Sequence, residues 1–182
     1  MVRTITIYGD PVLRQKCERI GSVTDEIRQL ATDMIETMHD AEGVGLAAPQ
    51  VDVSLQIAVV DVGLDDESVS LIELDGKPVG PDAVSPLVFL NPELTLDGQQ
   101  ELVVEGCLSI PDVRAPVRRP AIVHLKYTGL DEKPHTLTAD GLLARAIQHE
   151  IDHLNGVLFL DRLSTAGKMS AKRQLKRAMA HW

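Results

Sequence analysis

Between residues 25 and about 41 the apolar side chains Ile27, Leu30, Ala31, Met34, Ile35 and Met38 recur at three- and four-residue intervals. That spacing is one face of an α-helix. Thr24 stands at the N-cap position, Asp25 and Glu26 occupy the first turn, and Gly43 reads as the stop. A second helix is expected over residues 141 to about 155, with Asp140 as its cap and Gly156 as its terminator. On it Leu142, Ala146, His149 and His153 fall at i, i+4, i+7 and i+11, so two imidazoles continue an apolar stripe that faces inward. A third helix, over 166–182, places Met169, Leu175, Met179 and Trp182 loosely on one side.

The other periodicity is that of strands. Residues 56–61 and 87–90 are apolar runs, 93–105 alternates in part and turns at Asp97-Gly98, and 122–127 and 135–138 follow. Residues 5–8 read as a short extended arm before Asp10-Pro11, a cap and first helical position. Residues 43–50, rich in small side chains, read as a tight loop, 62–86 as a long acidic loop with a small hairpin at Asp75-Gly76, 114–120 as loop or edge, and 157–160 as extended. His124 and His135 lack metal-like spacing and read as ordinary strand histidines. The fold class this predicts is α+β: mixed or antiparallel strands around a central helix carrying the histidines. Residues 1–165 form the main unit, and the helix over 166–182 belongs to the same domain.

A chain of 182 residues suits a single domain that buries roughly 70% of its unfolded surface. With 3% aromatic residues, aliphatic side chains must fill the core, and no base-stacking surface is implied. Twenty-seven acidic against 18 basic residues, a net charge of −9, disfavour wholesale nucleic-acid binding and exclude DNA as an expected partner. Charge reverses at the end, where Arg162, Lys168, Lys172, Arg173, Lys176 and Arg177 face one acid, Asp161. No secretory h-region or bilayer-length apolar run is present, so the expectation is a cytoplasmic protein without membrane partners. In that compartment Cys17 and Cys107 are not expected to pair, and Cys17 reads as a small buried hydrophobe.

The candidate chemistry lies at Gln148-His149-Glu150-Ile151-Asp152-His153. Histidines four apart on a helix project to one point, and the glutamate beside the first is placed to take a proton from a metal-activated water. Alone, so short a pattern is about as often an accident as a site. The downstream sequence discriminates: the position that should hold a third histidine in the extended peptidase motif is Phe159, and after His153 the only carboxylate is Asp161. A third ligand should therefore come from upstream, and Cys107 after Gly106 is the best candidate by type. Two other readings stay open: an H-E-x-x-H zinc endopeptidase, and a non-catalytic module stapled by a structural metal.

Three segments together, Gly43-Val44-Gly45-Leu46-Ala47-Ala48-Pro49-Gln50, Glu105-Gly106-Cys107-Leu108-Ser109 and Gln148-His149-Glu150-Ile151-Asp152-His153, resemble the motifs of bacterial peptide deformylases. The resemblance extends from Gly9-Asp10-Pro11 to Leu160-Asp161-Arg162. It implies a hydrolase that removes formyl from the N-terminal formylmethionine of nascent polypeptides. It assigns Cys107, His149 and His153 as metal ligands, and Glu150 as general acid/base. Gln50, through its side-chain amide, and Leu108, through its backbone N–H, become the oxyanion donors. Val44, Gly45, Gly106, Arg114 and Leu142 become the lining of the substrate cleft. The implied metal is iron(II), replaceable by zinc, nickel or cobalt, and the implied further partner is the ribosome, met through the basic C-terminal helix. Asp152 is expected to support the ligand His153 by pairing with Arg118 or Arg119.

Overall fold

The computed structural model describes residues 1–64 and 66–182; the expected loop over 62–86 includes Asp65, which lies outside the described residues. Seven strands form one sheet in the order β1-β2-β5-β6-β7-β3-β4, every neighbouring pair antiparallel. They are β1 (Gly45–Ala47), β2 (Ile57–Val60), β3 (Ile72–Leu74), β4 (Lys77–Pro78), β5 (Leu87–Cys107), β6 (Ile110–Thr128) and β7 (Pro134–Ala139). Among the described residues three α-helices accompany them: α1 (Asp25–Asp40), α2 (Gly141–Leu154) and α3 (Thr165–Ala178).

β2 explains the layering. Its four residues are all buried. Ile57 and Val59 pack with Leu30, Met34 and Met38 of α1, while Ala58 and Val60 pack with Leu143 and Ile147 of α2. A strand covered on both faces cannot alternate with polar residues, which is why its sequence is a continuous apolar run. Each large side chain removed from water in this way contributes about 1.5–3 kcal/mol. α2 is buried from Leu143 to Leu154, so it is apolar on the sheet side and carries its polar groups into a second interior region.

Several local expectations are corrected. Asp97-Gly98 is not a hairpin turn but a bulge within β5: the register with β6 shifts between Asp97 and Gln100, and Gly98 takes φ 80°. Of the two readings of residues 114–120, edge holds and loop does not: they lie inside β6, with Val113, Ala115, Val117 and Arg119 buried and Arg114, Pro116 and Arg118 exposed. Three facts let prolines sit in this strand. β7 pairs only with Val123 to Thr128, so the earlier part of β6 has a free edge. Pro116 and Pro120 share the two-residue phase of Arg114, whose backbone N–H and C=O both face the Gln174 side chain, at 3.0 Å each, rather than a strand. Gln148 in turn donates to the Pro120 carbonyl at 3.0 Å.

The expected loop over 43–50 is β1 followed by a 3₁₀ turn, Ala48–Val51. Gly43 does not terminate α1 in the left-handed conformation; Glu42 does, with φ 54°. Gly43 is small for another reason, since a Cβ there would press against the Leu108 side chain. Asp140 precedes α2 but does not cap it: its carboxylate accepts from the N–H groups of Ser70 (2.7 Å) and Leu71 (2.9 Å), while Ser68 Oγ takes the Leu142 N–H (2.9 Å). The long loop thereby ties down the start of the histidine helix, and its hairpin at Asp75-Gly76 forms as β3–β4. Of the extended piece expected over 157–160, Leu158 is extended, and a 3₁₀ turn, Phe159–Arg162, begins directly after it. On α3 the packing face is Ala171, Leu175 and Ala178 against Val113, Ala115 and Val117, whereas Met169, Met179 and Trp182 are exposed.

Candidate active site

Cys107 ends β5, and its turn into β6 leaves the sulfur facing α2, where His149 and His153 project one turn apart. One ligand atom from each of the three lies within 4.8 Å of the others, with Cys107 Sγ 3.3 Å from His153 Nε2. The imidazole centroids are 5.0 Å apart, and Phe159, which stands where a third histidine would have been, stacks on His149 at 6.1 Å. A soft thiolate and two imidazoles fit a divalent transition metal.

Glu150 is 4% exposed, and its Oε2 has no hydrogen-bond partner among the described residues. Burial, with the nearby charges of Glu105 and Asp152, pushes its carboxyl up to about 7. Gly45 sits directly behind it, where any Cβ would collide with the carboxylate. Burial and the neighbouring His149 hold His153 well below the usual imidazole range, so it stays neutral and able to bind a metal. Burial also opposes charge on His149, but the Cys107 thiol and the Glu105 carboxylate outweigh it and raise that imidazole.

Behind the histidines lies a buried charge network that pattern reading largely missed. Glu105 Oε2 accepts from His149 Nδ1 at 3.0 Å, which leaves Nε2 as the ligand nitrogen. Arg119 spans two carboxylates, donating to Glu105 through Nε at 2.6 Å and to Asp152 through Nη1 at 2.9 Å. Of the two arginines proposed for Asp152, Arg119 makes the pair and Arg118 is exposed. Arg145 Nη1 joins Glu105 at 2.8 Å, and Arg162 grips both Asp152 oxygens, at 2.7 and 3.2 Å. Burial alone would raise the Glu105 carboxyl, but His149 and Arg119 hold it at about 2. Glu105 was visible as part of a motif; nothing in its spacing named Arg119 and Arg145 as its partners, or Arg162 as a second partner of Asp152.

Gln50 is 1% exposed. Its Oε1 accepts the Ala47 N–H at 2.8 Å, which turns Nε2 toward Ser109 Oγ (3.2 Å) and Cys107 Sγ (3.5 Å). A cleft of about 680 Å³ opens in front of Cys107, Leu108, His149 and Glu150. Val44, Gly106, Arg114 and Leu142 are among the residues that line it. Gly45 does not; it is a spacer behind Glu150. Ile5 and Ile7 line the cleft unexpectedly, and their only signal was the alternation Ile5-Thr6-Ile7.

Residues 2–169 match the family model described as polypeptide deformylase. The chain belongs to the polypeptide deformylase family. Similar relatives include the peptide deformylase of Opitutus terrae, 44% identical over 94% of this chain and 90% of the relative. That of Thermosynechococcus vestitus is 49% identical over 85% and 75%, respectively. Among solved structures, the deformylase of Legionella pneumophila aligns with a TM-score of 0.82 at 36% identity, covering 100% of this chain and 99% of the other. That of Synechococcus elongatus in complex with actinonin gives 0.81 at 41%, covering 96% and 84%. The deformylase match ends within α3, so most of the basic helix lies beyond it.

Proposed function

We propose that Cys107, His149 and His153 hold one divalent metal ion in a hydrolase that removes the formyl group from N-formylmethionyl nascent peptides. The observation that carries this is the convergence of those three ligand atoms within 4.8 Å beside a buried carboxylate with an unpartnered oxygen. Bound there, the ion supplies Lewis acidity that brings the pKa of a water toward neutrality. The donor set suits iron(II) or zinc alike, and the family resemblance implies iron(II), with zinc, nickel or cobalt as substitutes.

The chain's own groups do the rest. Glu150, with a carboxyl near 7, is matched to accept the water proton at neutral pH and return it to the departing amine. The water oxygen ends in formate as the formyl C–N bond breaks. Gln50 Nε2 and the Leu108 N–H donate to the formyl oxygen as it becomes anionic, each worth roughly 3–4 kcal/mol by comparison with other hydrolases. Glu105 holds His149 in one tautomer, and Arg119 ties Glu105 of β5 to Asp152 of α2. Val44 and Leu142 offer apolar walls for the methionine side chain, and Gly106 with Arg114 lies where the following backbone runs as an added strand.

The test is formate release from a formyl-Met peptide by anaerobically iron-loaded protein, with Glu150→Gln as control and internal cleavage monitored alongside. Metal-loaded protein that releases no formate would overturn the reading, and internal cleavage would return the endopeptidase alternative.

Two finer assignments accompany it. Residues 1–165 make the catalytic unit and 166–182 belong to the same domain, supported by the packing of Ala171 and Ala178 against β6. The exposed cations Lys168, Lys172, Arg173, Lys176 and Arg177 of α3 contact ribosomal RNA phosphates in the cytoplasm, where nascent chains emerge. No helix among the described residues is long and apolar enough to cross a membrane. Unchanged ribosome co-sedimentation after Lys172→Glu, Arg173→Glu and Lys176→Glu together would remove the ribosome assignment.

A further inference from the structure

The first residues of the chain enter the site through their backbone as well as through Ile5 and Ile7. The Thr6 N–H donates to the Gln50 carbonyl at 2.8 Å, and the Tyr8 N–H donates to the Ser109 carbonyl at 2.8 Å. Thr6 and Tyr8 are two residues apart, so their N–H groups can lie no more than about 7 Å from each other. The arm therefore spans a set distance between the 3₁₀ turn Ala48–Val51 and the Leu108–Ser109 turn joining β5 to β6. Residues 50 and 109 are 59 positions apart in sequence. The same two turns carry Gln50 Nε2 and the Leu108 N–H, and Gln50 Nε2 reaches across to Ser109 Oγ at 3.2 Å and to the adjoining Cys107 Sγ at 3.5 Å, bonds the formyl oxygen would compete with.

We propose that residues 5–8 act as a ruler that sets the separation of the two oxyanion donors, with Thr6 and Tyr8 as positioning residues acting through their N–H groups. The inference rests on the assignment of Gln50 and Leu108 above. Backbone bonds hold the two turns in register while the Gln50 amide exchanges Ser109 for the reacting oxygen. Arrangements of this kind are sensitive, since a misplacement of about 1 Å can cost about 10²-fold in rate. Loosening one of two ties is expected to lower kcat about tenfold. KM is expected to stay within about twofold, because the cleft walls are untouched, and metal affinity to stay unchanged, because no ligand moves.

Cys17 offers a native ligation junction, so synthetic residues 1–16 can be joined to 17–182 with a single amide replaced by an ester. The esters delete the N–H of Thr6 or Tyr8 and keep the chain's shape; an ester at exposed Thr4, outside both ties, is the control, and the all-amide ligation product is the reference. Each is also made with Gln50→Glu, which keeps the acceptor for Ala47 and removes the donor. Thermal melting establishes that every product folds. Support is a tenfold kcat loss for the Thr6 and Tyr8 esters, no change for Thr4, and a much smaller further loss in the Gln50→Glu background. Unchanged kcat for both esters, or losses that simply multiply with that of Gln50→Glu, would overturn the ruler while leaving the deformylase reading intact. If Gln50→Glu alone left kcat unaltered, the oxyanion assignment itself would fall.

Discussion

Glu105 is where the buried network should be most fragile, and Glu105→Gln is the change that isolates its charge. The carboxylate takes four donors: Arg119 Nε (2.6 Å) and Arg145 Nη1 (2.8 Å) on Oε1, and Arg119 Nη2 (3.0 Å) and His149 Nδ1 (3.0 Å) on Oε2. An amide has only one oxygen, so whichever way it is turned its NH₂ faces two donors. The cost follows from two directions. A carboxyl held at about 2 against an ordinary 4.5 represents, at ~1.36 kcal/mol per pH unit, about 3 kcal/mol of stabilisation in the folded state. Removing one partner from a buried ionic network costs about 3–5 kcal/mol in other proteins, a range that the first figure meets at its lower end. Urea denaturation of metal-free wild type and variant at pH 7 should therefore differ by about 3 kcal/mol. The difference has a pH signature: a depressed carboxyl stabilises above pH 4.5 and loses that contribution as pH falls toward 2, so the two proteins should converge there. Chelator competition should show metal affinity down about 10–100-fold, since His149 loses the acceptor that orients it. A stability loss below about 1 kcal/mol with unchanged metal affinity would refute the reasoning.

Two further outcomes are expected. In metal-free protein Glu150 is the opposite case: its folded carboxyl, near 7, binds a proton that the unfolded chain releases at about 4.5, so stability should fall as pH rises from 4.5 to 7, by up to about 3 kcal/mol. Urea midpoints across that range should show the decline in wild type and lose most of it in Glu150→Gln. Gly45→Ala, which drives a methyl group into the Glu150 carboxylate, should lower kcat at least about tenfold and cost about 1–3 kcal/mol of stability, whereas Gly106→Ala, whose Cβ would meet Arg114 Cγ at an ordinary 3.5 Å, should fold normally; equal melting temperatures for Gly45→Ala and wild type would contradict the spacer role.

What could be read from the chain beforehand follows the range over which each signal acts. Thr24 with its acidic first turn, and the apolar spacing from Ile27 to Met38, are local, and α1 begins at Asp25 as they require. Likewise Asp75-Gly76, with φ of 50° and 76°, forms its turn from residue type alone. Asp97-Gly98 carries the same local signal, yet there the ladder with β6 is continued on both sides and absorbs it as a bulge. The prolines of 114–120 left loop and edge strand both open, and which one forms depends on where β7 stops. Met169 and Met179 looked like core by type, but the small Ala171 and Ala178 are what allow α3 to approach the sheet. At the site, the histidine spacing and Cys107 were legible because metal chemistry restricts ligand types. Arg119 was named for Asp152, but Arg145 and Arg162 were not legible, since ion pairs 10 to 40 residues apart leave no periodic trace.

The closed margin of β6 bears on how the molecule behaves in a crowded cell. A ribbon this long would ordinarily present a row of unpaired amides able to recruit the same ribbon of another copy, the first step toward fibrils. Here Pro116 and Pro120 offer no donors on that side, Gln174 occupies both backbone groups of Arg114, and Gln148 covers the Pro120 carbonyl. α3 thus does a second job through one glutamine: at Arg114 it takes the place a further strand would need, which disfavours concentration-driven self-templating along that margin.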